Sequence, residues 1–167
     1  MGTAVSNLHI TFVGRTNVGK SRLVNCIFNE SQFNSGKFQH RETESETESI
    51  RILPNGEFTI VETIIFDNEV ELDLTKKAFS NSDFFILVLD AREELFNIET
   101  KLISYFQKNH IPFLVAVNKI EYGTNPHLIS ELDALEVTYF EVSCKENAGI
   151  ESFRKTLLHM LPDEKQI

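Results

Sequence analysis

Cysteine is scarce in this chain, with two residues, Cys26 and Cys144, among 167. Neither their number nor their spacing suits a disulfide framework, so a reducing, cytoplasmic compartment is the expectation. Basic residues are outnumbered, 16 Lys and Arg against 25 Asp and Glu, for a formal net charge of −9. A surface for nucleic acid or an anionic membrane needs clustered cations, and neither partner is expected. No apolar run approaches the length of a membrane span, and no secretory leader pattern opens the chain. Repeats, low-complexity tracts and linkers are also lacking. A length of 167 residues and a hydrophobic content of 41% suit one domain over 1–167. The last residues, PDEKQI, follow the last expected helix closely, as they would in a domain excised from a longer protein.

What is present is an alternation of apolar strands with helix-period segments. LHITFVG (Leu8–Gly14) reads as a buried strand, and GKSRLVNCIFN follows as a helix with Leu23, Val24, Ile27 and Phe28 on one side. Residues 29–49 are polar and show no period. SIRILP and EFTIVE flank Pro54-Asn55-Gly56, a hairpin-turn signal. DFFILVLD and PFLVAVN are continuous apolar runs, as in strands buried on both faces of a parallel sheet. Between them NIETKLISYFQKN is an amphipathic helix, and VTYFEVS and GIESFRKTLLHML supply a last strand and a last helix. The pattern implies a three-layer α/β fold with a six-stranded, mostly parallel sheet and one antiparallel strand.

Between the first strand and the first helix stands GRTNVGKS, residues 14–21, a full match to G-x-x-x-x-G-K-S/T. Backbone N–H groups of such a loop, aided by the helix N-terminus, cradle phosphates. Gly14, Arg15, Thr16, Asn17, Val18, Gly19, Lys20, Ser21 and the following Arg22 are the expected phosphate-binding residues. Lys20 would reach the outer phosphates, and Ser21 would hold Mg2+. NKIE (Asn118–Glu121) and SCK (Ser143–Lys145) both lie at carboxyl ends of strands, where open α/β sheets bind ligands.

These three motifs together resemble the guanine-nucleotide-binding GTPases, whose base motifs are N-K-x-D and S-A-K. The resemblance implies a Ras-like P-loop GTPase fold and GTP or GDP as ligand. It implies that Asn118 contacts the base and steadies the phosphate loop, that Lys119 lies along the ring, and that Glu121 accepts from the guanine N1 and N2 hydrogens. Ser143, Cys144 and Lys145 would offer backbone N–H groups to the guanine oxygen. Glu121 departs from the family aspartate by one methylene, which keeps the carboxylate and implies weaker affinity.

GRTNVGKS is similar to the loop of the Era and MnmE group, G-R-x-N-A/V-G-K-S, in which the asparagine at the Asn17 position helps bind a K+ that assists hydrolysis. ILPNG and the run Asp67-Asn68-Glu69-Val70-Glu71-Leu72 resemble HydF, the maturation GTPase of iron–iron hydrogenases. That finer resemblance implies a partner protein of a maturation machinery and a homodimer built through further domains. A tRNA-modification or ribosome-type GTPase of the Era/MnmE kind is the alternative.

Both switch motifs depart from the family. Aligned on ILPNG, the column of the magnesium threonine falls on Glu42, with Thr43 one residue away and able to take the role if the loop shifts. The segment RETESETES alternates Glu42, Glu44, Glu46 and Glu48, and reads either as a metal-ligating acidic arm or as a solvated loop. The third motif becomes Glu62-Thr63-Ile64-Ile65. Glu62 could hold Mg2+ through a water, so that Lys20, Thr43 and Glu62 are the candidate catalytic residues and Ser21, Thr43, Glu62 and Asn17 the candidate metal ligands. Ile65 replaces the glycine whose N–H contacts the γ-phosphate, and a β-branched residue prefers to continue the strand. γ-Phosphate sensing is thus expected to be weakened or lost, and TIVETII reads either as a working switch or simply as a longer strand. The candidate functions are a slow GTP hydrolase and a non-hydrolysing nucleotide-binding module. A small P-loop kinase is disfavoured, because NKIE and SCK have no place in one.

Overall fold

The structure is a computed structural model, and it describes residues 7–15, 17–28, 40–42, 46–53, 56–64 and 82–160. The elements in chain order are β1 (Asn7–Gly14), α1 (Lys20–Ile27), β2 (His40–Glu42), β3 (Glu46–Leu53), β4 (Gly56–Ile64), β5 (Phe84–Asp90), α2 (Asn97–Lys108), β6 (Phe113–Asn118), α3 (Pro126–Ala134), β7 (Tyr139–Glu141) and α4 (Ile150–Met160).

The strands form a sheet in the order β2-β3-β4-β1-β5-β6-β7. β4, β1, β5, β6 and β7 are mutually parallel. β3 pairs antiparallel with both β2 and β4, so it runs against the other six. Among the described residues seven strands rather than the expected six are present, and β2 is the addition. The expected hairpin is there, with Leu53 paired to Gly56; its turn residues Pro54 and Asn55 lie outside the described residues.

β5 is buried along its whole length, and its side chains alternate between two cores. Phe84, Ile86 and Val88 join Ile10 and Phe12 of β1 under α1 and α4, with Leu23, Ile27, Phe153 and Leu157. Phe85, Leu87 and Leu89 face the other way, onto Leu102, Ile103 and Phe106 of α2 and Leu128 and Leu132 of α3. Strands with apolar residues on both faces can only sit between two helical layers, which is why DFFILVLD and FLVAVN lack polar alternation. Each buried Phe or Leu contributes roughly 1.5–3 kcal/mol of transfer free energy. The four residues expected on the inner side of α1, Leu23, Val24, Ile27 and Phe28, are all 2% exposed or less.

α3 has no counterpart in the elements expected from sequence. Asn125 caps it by accepting from the His127 N–H at 3.0 Å, and Pro126 occupies its first turn. At the far end of α1, Arg154 of α4 is 7% exposed. It donates to the Ile27 carbonyl at 2.8 Å and the Cys26 carbonyl at 2.9 Å, and pairs with Glu151 at 2.7 Å. A buried guanidinium thus satisfies carbonyls that the end of α1 leaves open.

Candidate functional site

β1 delivers the chain at Gly14, and α1 receives it at Lys20. The loop between them turns through left-handed backbone at Asn17 (φ 69°) and Gly19 (φ 89°). Glycine is required at 19 on two counts: a Cβ there would lie 2.6 Å from Asn118 Nδ2, and its φ disfavours any L side chain. At Gly14 a Cβ would lie 2.7 Å from the Val88 carbonyl oxygen. The first bond of α1 runs from Leu23 N–H to the Gly19 carbonyl. The N–H groups of Lys20, Ser21 and Arg22 therefore have no intrahelical acceptor and form the positive end of the helix dipole.

Lys20 is 8% exposed, and its ammonium donates to the carbonyls of Gly14 and Arg15, both at 2.9 Å. An ammonium has three donors, so one is left for an anionic oxygen. Burial lowers its pKa to about 8, against the opposing pull of the Glu62 carboxylate. Ser21 Oγ donates to Glu62 Oε1 at 2.5 Å. β4 remains a strand through Ile64, with Glu62 opposite Phe12 and Ile64 opposite Gly14. Continued strand and carboxylate contact thus coexist, and Glu62 needs no separate loop to reach the hydroxyl. Thr16, Thr43 and Ile65 lie outside the described residues.

The base motif is joined to this loop. Asn118, 4% exposed at the end of β6, donates through Nδ2 to the Val18 carbonyl at 2.9 Å. Lys119, itself left-handed at φ 68°, donates to the Asn17 carbonyl at 2.5 Å and lies 3.9 Å from the Asp90 carboxylate. Beside them is a cavity of about 270 Å³ lined by Gly19, Arg22, Arg92, Asn118, Lys119, Glu121, Tyr122, Cys144 and Lys145. Glu121 Oε1 is buried and has no hydrogen-bond partner among the described residues. A buried carboxylate oxygen left unpaired is costly, and a ligand carrying N–H donors would relieve that cost.

In the last loop the Ser143 N–H goes to the Ala148 carbonyl at 2.9 Å, and Ser143 Oγ accepts from the Glu146 N–H at 3.0 Å. Ser143 thus shapes the loop through both its N–H and its hydroxyl. Cys144 and Lys145 line the cavity. Cys144 Sγ lies 3.8 Å from the Arg22 carbonyl, and burial beside the Cys26 thiol pushes its pKa up to about 12.

Two wall residues, Arg92 and Tyr122, were absent from the sequence reading, and so was Asp90, which holds Arg92. Asp90, at the end of β5, accepts three hydrogen bonds from Arg92, from its backbone N–H and Nε to Oδ1, both at 3.0 Å, and from Nη2 to Oδ2 at 2.7 Å. The Arg92 side chain holds the Asp90 carboxyl below its usual range. Arg92 Cζ and Lys145 Nζ lie 5.0 and 5.7 Å from the Tyr122 ring centre. Their position at strand ends, where this sheet class binds ligands, was the available signal. Arg15 was expected among phosphate-binding residues, but its side chain is committed elsewhere, to Glu93, Glu99 and Phe96. Among the described residues no group of three or more His, Cys, Asp or Glu gathers as a metal cluster.

A phosphate loop hydrogen-bonded to a base loop, at the carboxyl edge of five parallel strands, defines an α/β P-loop domain of the Ras-like GTPase type. The family model described as "50S ribosome-binding GTPase" matches residues 9–119. The chain belongs to that family and is a GTP-binding GTPase domain. It is 31% identical to GTPase Der of Malacoplasma penetrans over 116 residues, 64% of this chain and 26% of that protein. With GTPase Der of Burkholderia mallei it is 26% identical over 173 residues, covering 92% of this chain and 38% of that protein. It thus spans well under half the length of these curated relatives. An Aquifex aeolicus Era structure bound to GDP and AlF4− shares the fold, with a TM-score of 0.68 at 20% identity over 94% of this chain and 57% of that one. The G domain of the T. maritima FeoB iron transporter does so at 0.65 and 13%, over 92% and 98%. Among the described residues no helix is long and apolar enough to cross a membrane.

Proposed function

We propose that this domain binds GTP and GDP through the 14–21 loop and the 118–121 and 143–145 loops, and hydrolyses GTP slowly as part of a ribosome-associated GTPase of the Der/Era kind. The observation that carries the guanine assignment is Glu121, whose buried Oε1 lacks a partner beside a cavity that Asn118 and Lys119 tie to the phosphate loop. Guanine offers two adjacent N–H donors to a carboxylate there, and adenine does not.

The resident metal of such a site is Mg2+, and the oxygen donors Ser21 Oγ and Glu62 fit a hard cation. These two would hold it, and its charge would offset that of the outer phosphates. Lys20 supplies the protein's own cation at the same oxygens, and the N–H groups of Lys20, Ser21 and Arg22 add partial positive charge. Turnover is slow in this reading because Ile65 stands where a glycine would approach the γ-phosphate. K+ assistance through Asn17 is part of the proposal, and so is Thr43 as a second metal ligand.

The ribosome-type reading is favoured over hydrogenase maturation. The latter rests on ILPNG and on residues 67–72, which lie outside the described residues, whereas the Der relatives and the family model support the former. The test is titration with fluorescent GDP, GTP and ATP, then GTP turnover in K+ against Na+, with Lys20→Ala as control. Binding of guanine nucleotides alone with slow, K+-stimulated turnover is the expected result. Equal binding of ATP would overturn the guanine assignment, and no turnover above the Lys20→Ala background would leave a binding module.

A further inference from the structure

Arg15 belongs to the phosphate loop by sequence, yet its guanidinium points away from Lys20's anion side and into the start of α2. It pairs with Glu93, its Nε lies 3.3 Å from Glu99 Oε2, and its Cζ sits 3.5 Å above the centre of the Phe96 ring. Glu99 is 1% exposed, and its other oxygen accepts the Phe96 N–H at 2.8 Å. Burial holds the Glu99 carboxyl above its usual range, and Arg15 is the cation that draws it back. The guanidinium cannot swing towards a phosphate without leaving that buried carboxylate alone, which is the strongly unfavourable outcome for a buried pair.

The backbone of the same residue faces the other way. The Arg15 carbonyl is one of the two oxygens that hold the Lys20 ammonium, at 2.9 Å. One residue is therefore fixed by its side chain to α2 and by its main chain to the phosphate-binding lysine.

We propose that Arg15 is a positioning residue. It fixes the loop carbonyl that aims Lys20, and so sets how long a guanine nucleotide stays bound. The inference rests on the nucleotide reading above. Glu99 and the Phe96 ring are the other halves of the device: the carboxylate fixes the fork, and the ring fixes its plane.

The experiment is the dissociation rate of fluorescent GDP from the wild-type chain and from Arg15→Ala, Arg15→Lys and Glu99→Gln, each beside its unfolding midpoint. Arg15→Ala should release GDP about tenfold faster, the equivalent of losing one charge-assisted hydrogen bond. Arg15→Lys should recover only part of this, because an ammonium has neither the fork nor the flat face. The effects of Arg15→Ala and Glu99→Gln should not multiply, since both remove the same link. Leu132→Ala, which opens the core under α3, should lower the midpoint without hastening release, and so separates positioning from stability. Wild-type release from Arg15→Ala, or from Arg15→Lys if the alanine variant does not fold, would overturn the proposal. Multiplying effects would do so too. A wild-type chain that binds no GDP would remove the nucleotide reading and this one with it.

Discussion

The side-chain amide of Asn118 donates to the carbonyl of Val18 across 100 residues of sequence, and it packs where any side chain at position 19 would have to go. One hydrogen bond thus joins the loop that faces phosphates to the strand end that faces the base. Asn118→Ala should lower GDP affinity at least about tenfold and leave a buried carbonyl unpaired, at a cost of roughly 1–3 kcal/mol. Gly19→Ala should fail in the same direction through backbone strain. Isothermal titration and urea unfolding of both variants check this.

Lys20 makes binding depend on pH in a defined direction. Its pKa in the folded chain is about 8 rather than 10.5, because burial outweighs the pull of Glu62. Between those values the folded lysine loses its proton while the unfolded one keeps it. The unfolded state then binds more protons, so this residue's contribution to stability rises with pH through that window. Phosphate needs the charged form, so GDP affinity moves the opposite way and should fall up to about tenfold per pH unit above 8. Lys20→Met should bind weakly at every pH and lose the slope, as GDP titrations from pH 7 to 10 would record.

Glu121 should decide between guanine and other bases. Glu121→Gln keeps the shape but removes the charge, and it should weaken GDP binding by about tenfold or more, with ATP unchanged. Glu121→Asp restores the shorter carboxylate of the related GTPases and should bind GDP more tightly than the wild type. Competition assays with GDP, ADP and IDP separate the two effects, since IDP lacks the N2 donor.

The short contact between Ser21 and Glu62 predicts a metal-specific phenotype. Glu62→Ala should leave GDP binding without Mg2+ nearly unchanged and abolish the gain that added Mg2+ brings. Ile65→Gly should raise the preference for GTP over GDP. Affinities measured with and without EDTA test the first, and paired GTP and GDP titrations the second.

Cys144 should be a slow thiol. With its pKa pushed up to about 12 by burial and the neighbouring Cys26, little thiolate exists at pH 8. Alkylation should therefore be far slower than for an unhindered cysteine, and bound GDP should slow it further. Mass-spectrometric time courses with iodoacetamide read both outcomes.

The phosphate loop was legible because its glycines, lysine and serine are set by contacts within one strand–loop–helix unit. The buried strands were legible too, since residues such as Phe84 and Phe85 on opposite faces leave no place but a two-sided core. What sequence left open was decided by distant partners. The Arg15 side chain is held by Glu99, 84 residues away. The Ser143 N–H goes to the Ala148 carbonyl, a pairing no motif signals. Asp90 and Arg92 carry no motif of their own and enter the site only because β5 ends beside β6, with Asp90 opposite Asn118. Helix α3 was different: its Asn125-Pro126 start was a visible local signal.

α1 is held at both ends, by the phosphate loop ahead of Lys20 and by Arg154 on the Ile27 and Cys26 carbonyls. Eight residues of helix make a rod about 12 Å long. A short rod pinned at each end passes on displacement instead of absorbing it. Arg154 thus couples the carbonyl end of this rod to α4, and a shift of the phosphate loop along the rod's axis would load that contact.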